Sequence, residues 1–139
     1  MSDLAKTARD YLETWNKRDW DKYKSFMHPQ YSYIGGDGNR MDGPDSGVAV
    51  GQMFATAFPD GRINFKQIHA SDNTVVVEFT GEGTHTGDFA GVPASGRKIN
   101  ILVCDVIEFR DGKIVAEREY IDMLSMMQQI GAIPQGATV

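Results

Sequence analysis

A single cysteine, no long apolar run and no basic cluster bound what this 139-residue chain can be. Cys104 has no partner for an internal disulfide, and one thiol cannot build a zinc site. The opening residues MSDLAKTARD lack the apolar stretch of a secretory signal, and no later segment is long and uncharged enough to span a bilayer, so a cytoplasmic protein is expected. Nineteen acidic against fourteen basic residues leave a formal charge of -5, with no arginine-rich run to neutralise phosphates. That disfavours nucleic acid and anionic membranes as partners. No serine sits in a G-x-S-x-G elbow and no P-loop is present. The GGDGN loop after Ile34 lacks the strand-to-helix setting of a dinucleotide fingerprint. His28, His69 and His85 show no metal-ligand spacing, and neither a metal nor a cofactor is expected. There is no repeat and no linker, so residues 1–139 read as one domain around one core.

What the chain has is a run of helices followed by long strands. From Ser2 to about Lys17, Leu4, Ala8, Tyr11, Leu12 and Trp15 recur at helical spacing behind a Ser2-Asp3 cap. A second helix starts at Asp19 with Trp20, Tyr23, Phe26 and Met27 on one side, stopped by His28-Pro29. An aromatic stripe at this spacing is ordinarily core, but so many rings can also line a cavity for a bulky apolar ligand. Tyr31 to Ile34 is a short strand, and Gly43-Pro44-Asp45 opens a helix turning Val48, Met53, Phe54, Ala57 and Phe58 inward. Arg62 to Ala70 and Thr74 to Thr86 are strands joined at Ser71-Asp72-Asn73. The segment TGDFAGVPASGR is long enough to fold over a cavity mouth. Met123, Leu124, Met126, Met127 and Ile130 form a last helix closed by Gly131, with residues 131–139 a loose tail. The order implies an α+β protein in which helices pack on one face of a strongly curved, mainly antiparallel sheet. The hollow left between them becomes a pocket.

The stretch from Arg97 to Asp122 carries the chemistry. With a period of two, Ile99, Ile101, Val103, Ile107 and Phe109 share one strand face, and Asp105 falls in the middle of that apolar row. The register decides its partner. A two-residue turn at Asp111-Gly112 places Asp105 opposite Arg118, a cross-strand ion pair. A three-residue loop with Gly112 as a left-handed bulge sets it on one face with Glu117 and Glu119. In the second case carboxyl groups crowd together in an apolar hollow, which raises the pKa of at least one and suits general acid/base work beside a carbonyl. Tyr31, Tyr33 and Tyr120 are candidate hydroxyl donors. His85 shares a strand face with Val75, Val77 and Phe79 and is either a third polar group in the hollow or a structural histidine.

WNKRDWDKY, AFPDGR at Ala57 to Arg62, GTHTGDFAGVPASGR at Gly83 to Arg97 and CDVIEFRDGKIVAEREYIDMLSMMQQIGAIP at Cys104 to Pro134 together resemble the SnoaL-like polyketide cyclases, within the nuclear transport factor 2-like superfamily. The resemblance covers nearly the whole chain. It implies a cone-shaped α+β barrel with the pocket between helices and concave sheet, and a homodimer as in relatives. In those cyclases an acid a few positions after the DGK turn is the general base or acid of an intramolecular aldol closure. Glu119 stands at that position, where the family enzyme carries Asp. Asp105 stands where those enzymes carry a histidine one strand back. Both would face inward, with Glu119 as base, Asp105 as its proton-sharing partner and His85 a further catalytic group. Tyr33, Phe26, Trp15, Met53, Phe58 and Val103 would contact a small apolar or polycyclic carbonyl ligand. A ketosteroid-isomerase-like isomerase, a dehydratase and a non-catalytic binding protein are the alternatives.

Overall fold

The computed structural model describes residues 3–134. Helix α1 (Asp3–Asn16) is amphipathic and buries Ala5, Ala8, Tyr11, Leu12 and Thr14. The expected Ser2 cap lies outside the described residues. Helix α2 (Trp20–Ser25) starts at Asp19, whose carboxylate accepts from the Lys22 amide at 3.2 Å and so satisfies a free N-terminal donor. Arg18 clasps this corner. Its guanidinium donates to the carbonyls of Trp15, Pro59 and Gly61 at 2.9 to 3.0 Å and lies 4.1 Å over the Trp15 ring.

Strand β1 (Met27–Ile34) begins four residues before the expected one. Met27, assigned to a helical stripe from spacing alone, is the first strand residue and pairs with Ile114. A break in register between Met27 and Ser32 accommodates Pro29, which has no amide to give to a ladder. A short β2 (Arg40–Asp42) pairs back on β1. Its three exposed residues carry no alternating pattern, which is why spacing did not disclose it.

Helix α3 (Pro44–Ala57) is oriented by its glycines. The run VAVGQMFATAF is apolar nearly all round, so periodicity does not choose a face. Gly47 and Gly51 do, since a Cβ on Gly47 would stand 2.5 Å from a Tyr31 ring carbon and one on Gly51 3.1 Å from Trp20. The indole Nε1 of Trp15 donates to the Gly51 carbonyl at 2.9 Å. Met53 consequently falls off the inward stripe and is 42% exposed, contrary to expectation.

The remaining strands are β3 (Arg62–Ser71), β4 (Thr74–Thr84), β5 (Lys98–Arg110) and β6 (Lys113–Ile121), followed by helix α4 (Met123–Gln129). The sheet order is β2-β1-β6-β5-β4-β3, antiparallel except for β1 beside β6. It does not close, and bulges between Phe65 and Gln67 on β3 and opposite Glu108 and Phe109 on β6 bend it round the helices. This is the expected curved α+β cone. Gly131 to Ile133 are not loose, because the amides of Ala132 and Ile133 return to the Met127 carbonyl and end α4; the tail residues 135–139 lie outside the described ones. No helix among the described residues is long and apolar enough to cross a membrane.

Candidate active site

The hairpin register combines features of both alternatives. Asp111 and Gly112 have φ of 52° and 75°, the positive pair that a two-residue turn with the sheet's own twist requires, and Arg110 pairs with Lys113. Continued unbroken, that ladder would set Asp105 against Arg118. Instead Phe109 pairs with Ile114 and Glu108 with Ala116, leaving Val115 as an extra residue that shifts the rest of β6 by one. Asp105 therefore faces Glu119, Ile107 faces Glu117, and Arg118 turns to the outer face to donate to Glu108. The expectation of a bulge at Gly112 is corrected: the bulge sits at Val115. A one-residue slip moves every side chain to the opposite face, so this single residue decides that the acids point inward.

Asp105, Glu117 and Glu119 each bring an oxygen within 4.8 Å of the other two. Such a set can hold one small hard cation or share protons. Their donors differ. The hydroxyls of Tyr11 on α1 and Tyr31 on β1 both donate to Glu117 Oε1 at 2.7 Å, and Tyr33 donates to Glu119 Oε1 at 2.8 Å. Among the described residues, neither oxygen of Asp105 receives a hydrogen bond, although the side chain is fully buried. An ionised carboxylate in that position would be desolvated and unpaired, a state that costs several kcal/mol. Burial first, then the charges of Glu119 and Glu117, push the Asp105 carboxyl well above the ordinary range, so it holds its proton. Burial and then the charge of Glu117 push Glu119 up to about 7. The phenols of Tyr11, Tyr23 and Tyr31 are raised by burial and then by Glu117, and that of Tyr33 by burial and then by Glu119, which keeps all four as donors.

Glu117 and Glu119 lie on the lining of a cavity of about 710 Å³ counting its open mouth. Its walls are apolar: Leu12 and Trp15 from α1, Phe54 and Phe58 at the end of α3, Ile99, Ile101 and Val103 from β5, and Met126 from α4. Arg62 and Glu82, cross-strand partners on β3 and β4, are the charged pair elsewhere on its lining. Asp105 lies behind Glu119 rather than on the wall. Two acids, Glu117 and Glu119, thus line the cavity with a third, proton-bearing acid behind them.

A family model for SnoaL-like polyketide cyclases matches residues 5–130. The chain belongs to the SnoaL-like polyketide cyclase family. Among curated relatives it is similar to the aklanonic acid methyl ester cyclase DnrD of Streptomyces peucetius, 27% identical over 135 residues, covering 94% of this chain and 92% of DnrD. Among solved structures it resembles AclR of Streptomyces galilaeus, with a TM-score of 0.87 and 24% identity over 99% of this chain and 87% of that one. It also resembles a Catenulispora acidiphila protein with a ketosteroid isomerase-like fold, with a TM-score of 0.78 and 13% identity over 96% of this chain and 97% of that one.

Within this SnoaL-like fold, Trp15, Tyr33, Phe58, Val103 and Glu119 are placed on the cavity lining, whereas three other candidates lie elsewhere. Phe26 caps α2 and packs edge-on against Tyr11, ring centroids 5.8 Å apart. Met53 faces outward on α3. His85 lies just past the end of β4, off the cavity lining, its ring 5.6 Å from Phe58. The Ser95 amide donates to His85 Nδ1 at 3.1 Å and Ser95 Oγ lies 2.9 Å away, which makes Nδ1 an acceptor and leaves Nε2 buried without a partner. His85 organises the Gly83–Arg97 segment. That segment docks on the C-terminal end of α3 through the Thr86 and Gly87 amides and the Phe89 ring, forming a wall behind Phe54 and Phe58 and not a cover over the mouth. Tyr120 is exposed, so it is no donor to the site. The groups missed from sequence were Tyr11 and Tyr23, counted as core because core and site share one helical stripe. Their signal was the hydroxyl, which a buried tyrosine must satisfy.

Proposed function

We propose that this protein is a cofactor-independent cyclase that closes a ring in a small, largely apolar polyketide by proton transfer at a carbonyl. The observation that carries the reading is Glu119. It is a carboxyl on the wall of an apolar cavity, backed by the protonated Asp105, with a proton affinity matched to neutral pH. A base so placed removes the proton from a carbon next to a carbonyl. The carbanion attacks a second carbonyl of the same molecule, forming the new carbon–carbon bond, and the resulting alkoxide takes the proton back from Glu119. Protons and electrons balance over the cycle, so no external reagent enters. Asp105 holds its proton towards Glu119 and steadies the carboxylate without touching substrate. Tyr33 orients the acceptor oxygen of Glu119. The apolar walls exclude water, which strengthens each of these interactions.

The same groups would serve an isomerisation or a dehydration; similarity to DnrD, a cyclase by name, favours ring closure. Incubation with aklanonic acid methyl ester, followed by mass spectrometry and chromatography, tests the reading. The wild type should convert it to a cyclised isomer of unchanged mass, and Glu119→Gln should slow conversion by about 100-fold or more, the scale of a lost general base. Turnover that survives E119Q intact would remove Glu119 from the chemistry.

A further inference from the structure

Three acids meet beside the cavity, Glu117 and Glu119 on its lining and Asp105 buried behind them, and the reaction outlined above uses two. We propose that Glu117 is a positioning residue: clamped by Tyr11 and Tyr31, it confines the shared proton of the site to Asp105 and Glu119. The inference rests on Glu119 being the base, and it assigns the third acid a task that lining and packing alone do not explain.

The geometry ranks the three carboxyls by donors. Glu117 Oε1 takes two phenol hydrogen bonds at 2.7 Å each, which occupies both lone pairs of that oxygen. Glu119 takes one at 2.8 Å, and Asp105 takes none. Donors of this kind stabilise negative charge where they point. By donor count negative charge is best supported at Glu117 and least at Asp105, with Glu119 between them. The clamp is rigid. Tyr11 stacks on Tyr23 with centroids 4.6 Å apart, and Tyr31 is wedged against Gly47 of α3, where any side chain would collide with its ring. Around the group, α1 presents Tyr11, α2 presents Tyr23, β1 presents Tyr31 and Tyr33, β5 presents Asp105 and β4 the apolar Val77 opposite it. From α3 and α4 the cavity receives Phe54, Phe58 and Met126, and Arg62 with Glu82 are the other charges on its lining. Burial and the charge of Glu117 both bear on Glu119, in that order.

The test is a carbon-13 NMR titration of glutamate side-chain carboxyls in the full chain, with the Glu119 resonance assigned by its loss in E119Q. In Glu117→Gln the amide oxygen still accepts from both phenols while the charge is gone, so Glu119 should titrate about one to two pH units lower than in the wild type. Tyr31→Phe keeps the ring and removes one donor. Glu117 and Glu119 then hold one phenol each and compete more evenly for the proton, so Glu119 should titrate lower than in the wild type, by less than in E117Q, which decides the matter should E117Q fail to fold. A raised wild-type Glu119 that stays put in both variants overturns the role of Glu117 and leaves the base in place. A wild-type Glu119 that titrates near 4.5 refutes the base itself.

Discussion

Replacing Glu119 by glutamine should make the protein more stable as it abolishes turnover. An ordinary glutamate titrates near 4.5 and Glu119 near 7, so the folded state binds a proton more tightly than the unfolded chain. A group raised on folding contributes its full stability below the unfolded value and loses it as pH climbs through the folded one. Between about pH 4.5 and 7 the wild type should therefore lose about 3 kcal/mol, at 1.36 kcal/mol per pH unit. The amide in E119Q is neutral throughout and still accepts from the Tyr33 hydroxyl, so the Glu119 contribution is absent and stability should fall less steeply over that window, with the buried Asp105 supplying the slope that remains. The two proteins should be close at pH 4.5 and differ by about 3 kcal/mol at pH 8, a sizeable share of the 5–15 kcal/mol typical of a folded domain. In urea at pH 8 that separates the midpoints by roughly 1–3 M. Equilibrium urea unfolding of both proteins at several values between pH 4.5 and 8 measures it. Parallel pH profiles, or an E119Q less stable than the wild type at pH 8, would refute the reasoning, because the first denies the raised proton affinity and the second makes the charge a stabilising one.

Turnover should rise with pH through about 7 as Glu119 loses its proton, and the rate profile of the wild type against pH locates that limb. Tyr33→Phe removes the phenol that, after Asp105, favours the charged form of Glu119, so the same limb should move to higher pH by up to about one unit. Gly47→Ala gains helix propensity of about 1 kcal/mol, yet its methyl would meet the Tyr31 ring at 2.5 Å and the Met27 methyl at 2.8 Å; thermal or urea unfolding should show a net loss of about 1–2 kcal/mol.

The strand faces were legible in the sequence because a period of two survives any local irregularity that spares it. Ile99, Ile101, Val103, Ile107 and Phe109 are all buried on the face that Asp105 shares. The partner of Asp105 was not legible. Asp-Gly announced a two-residue turn, but the residue that slips the register is Val115, an ordinary β-former with no bulge signal of its own. Helix α3 was legible as a helix and not as a face, since its apolar composition runs all round and the inward side is marked by Gly47 and Gly51, residues without a hydrophobic signal. His85 illustrates the opposite error. Its parity with Val75, Val77 and Phe79 counted on β4 running two residues further than it does. Tyr11 and Tyr23 show why a site inside a core escapes pattern reading: the ring satisfies the stripe, and only the destination of the hydroxyl separates packing from chemistry.

A buried acid behind a half-buried one, with separated proton affinities, is the centre of the account, and carboxyl carbon-13 chemical shifts of the wild-type protein, followed from pH 3 to 10, observe it directly. Glu119 should titrate near 7, with Asp105 still protonated at pH values where exposed aspartates have long been charged. Ordinary titration of both, near 4, would contradict the account.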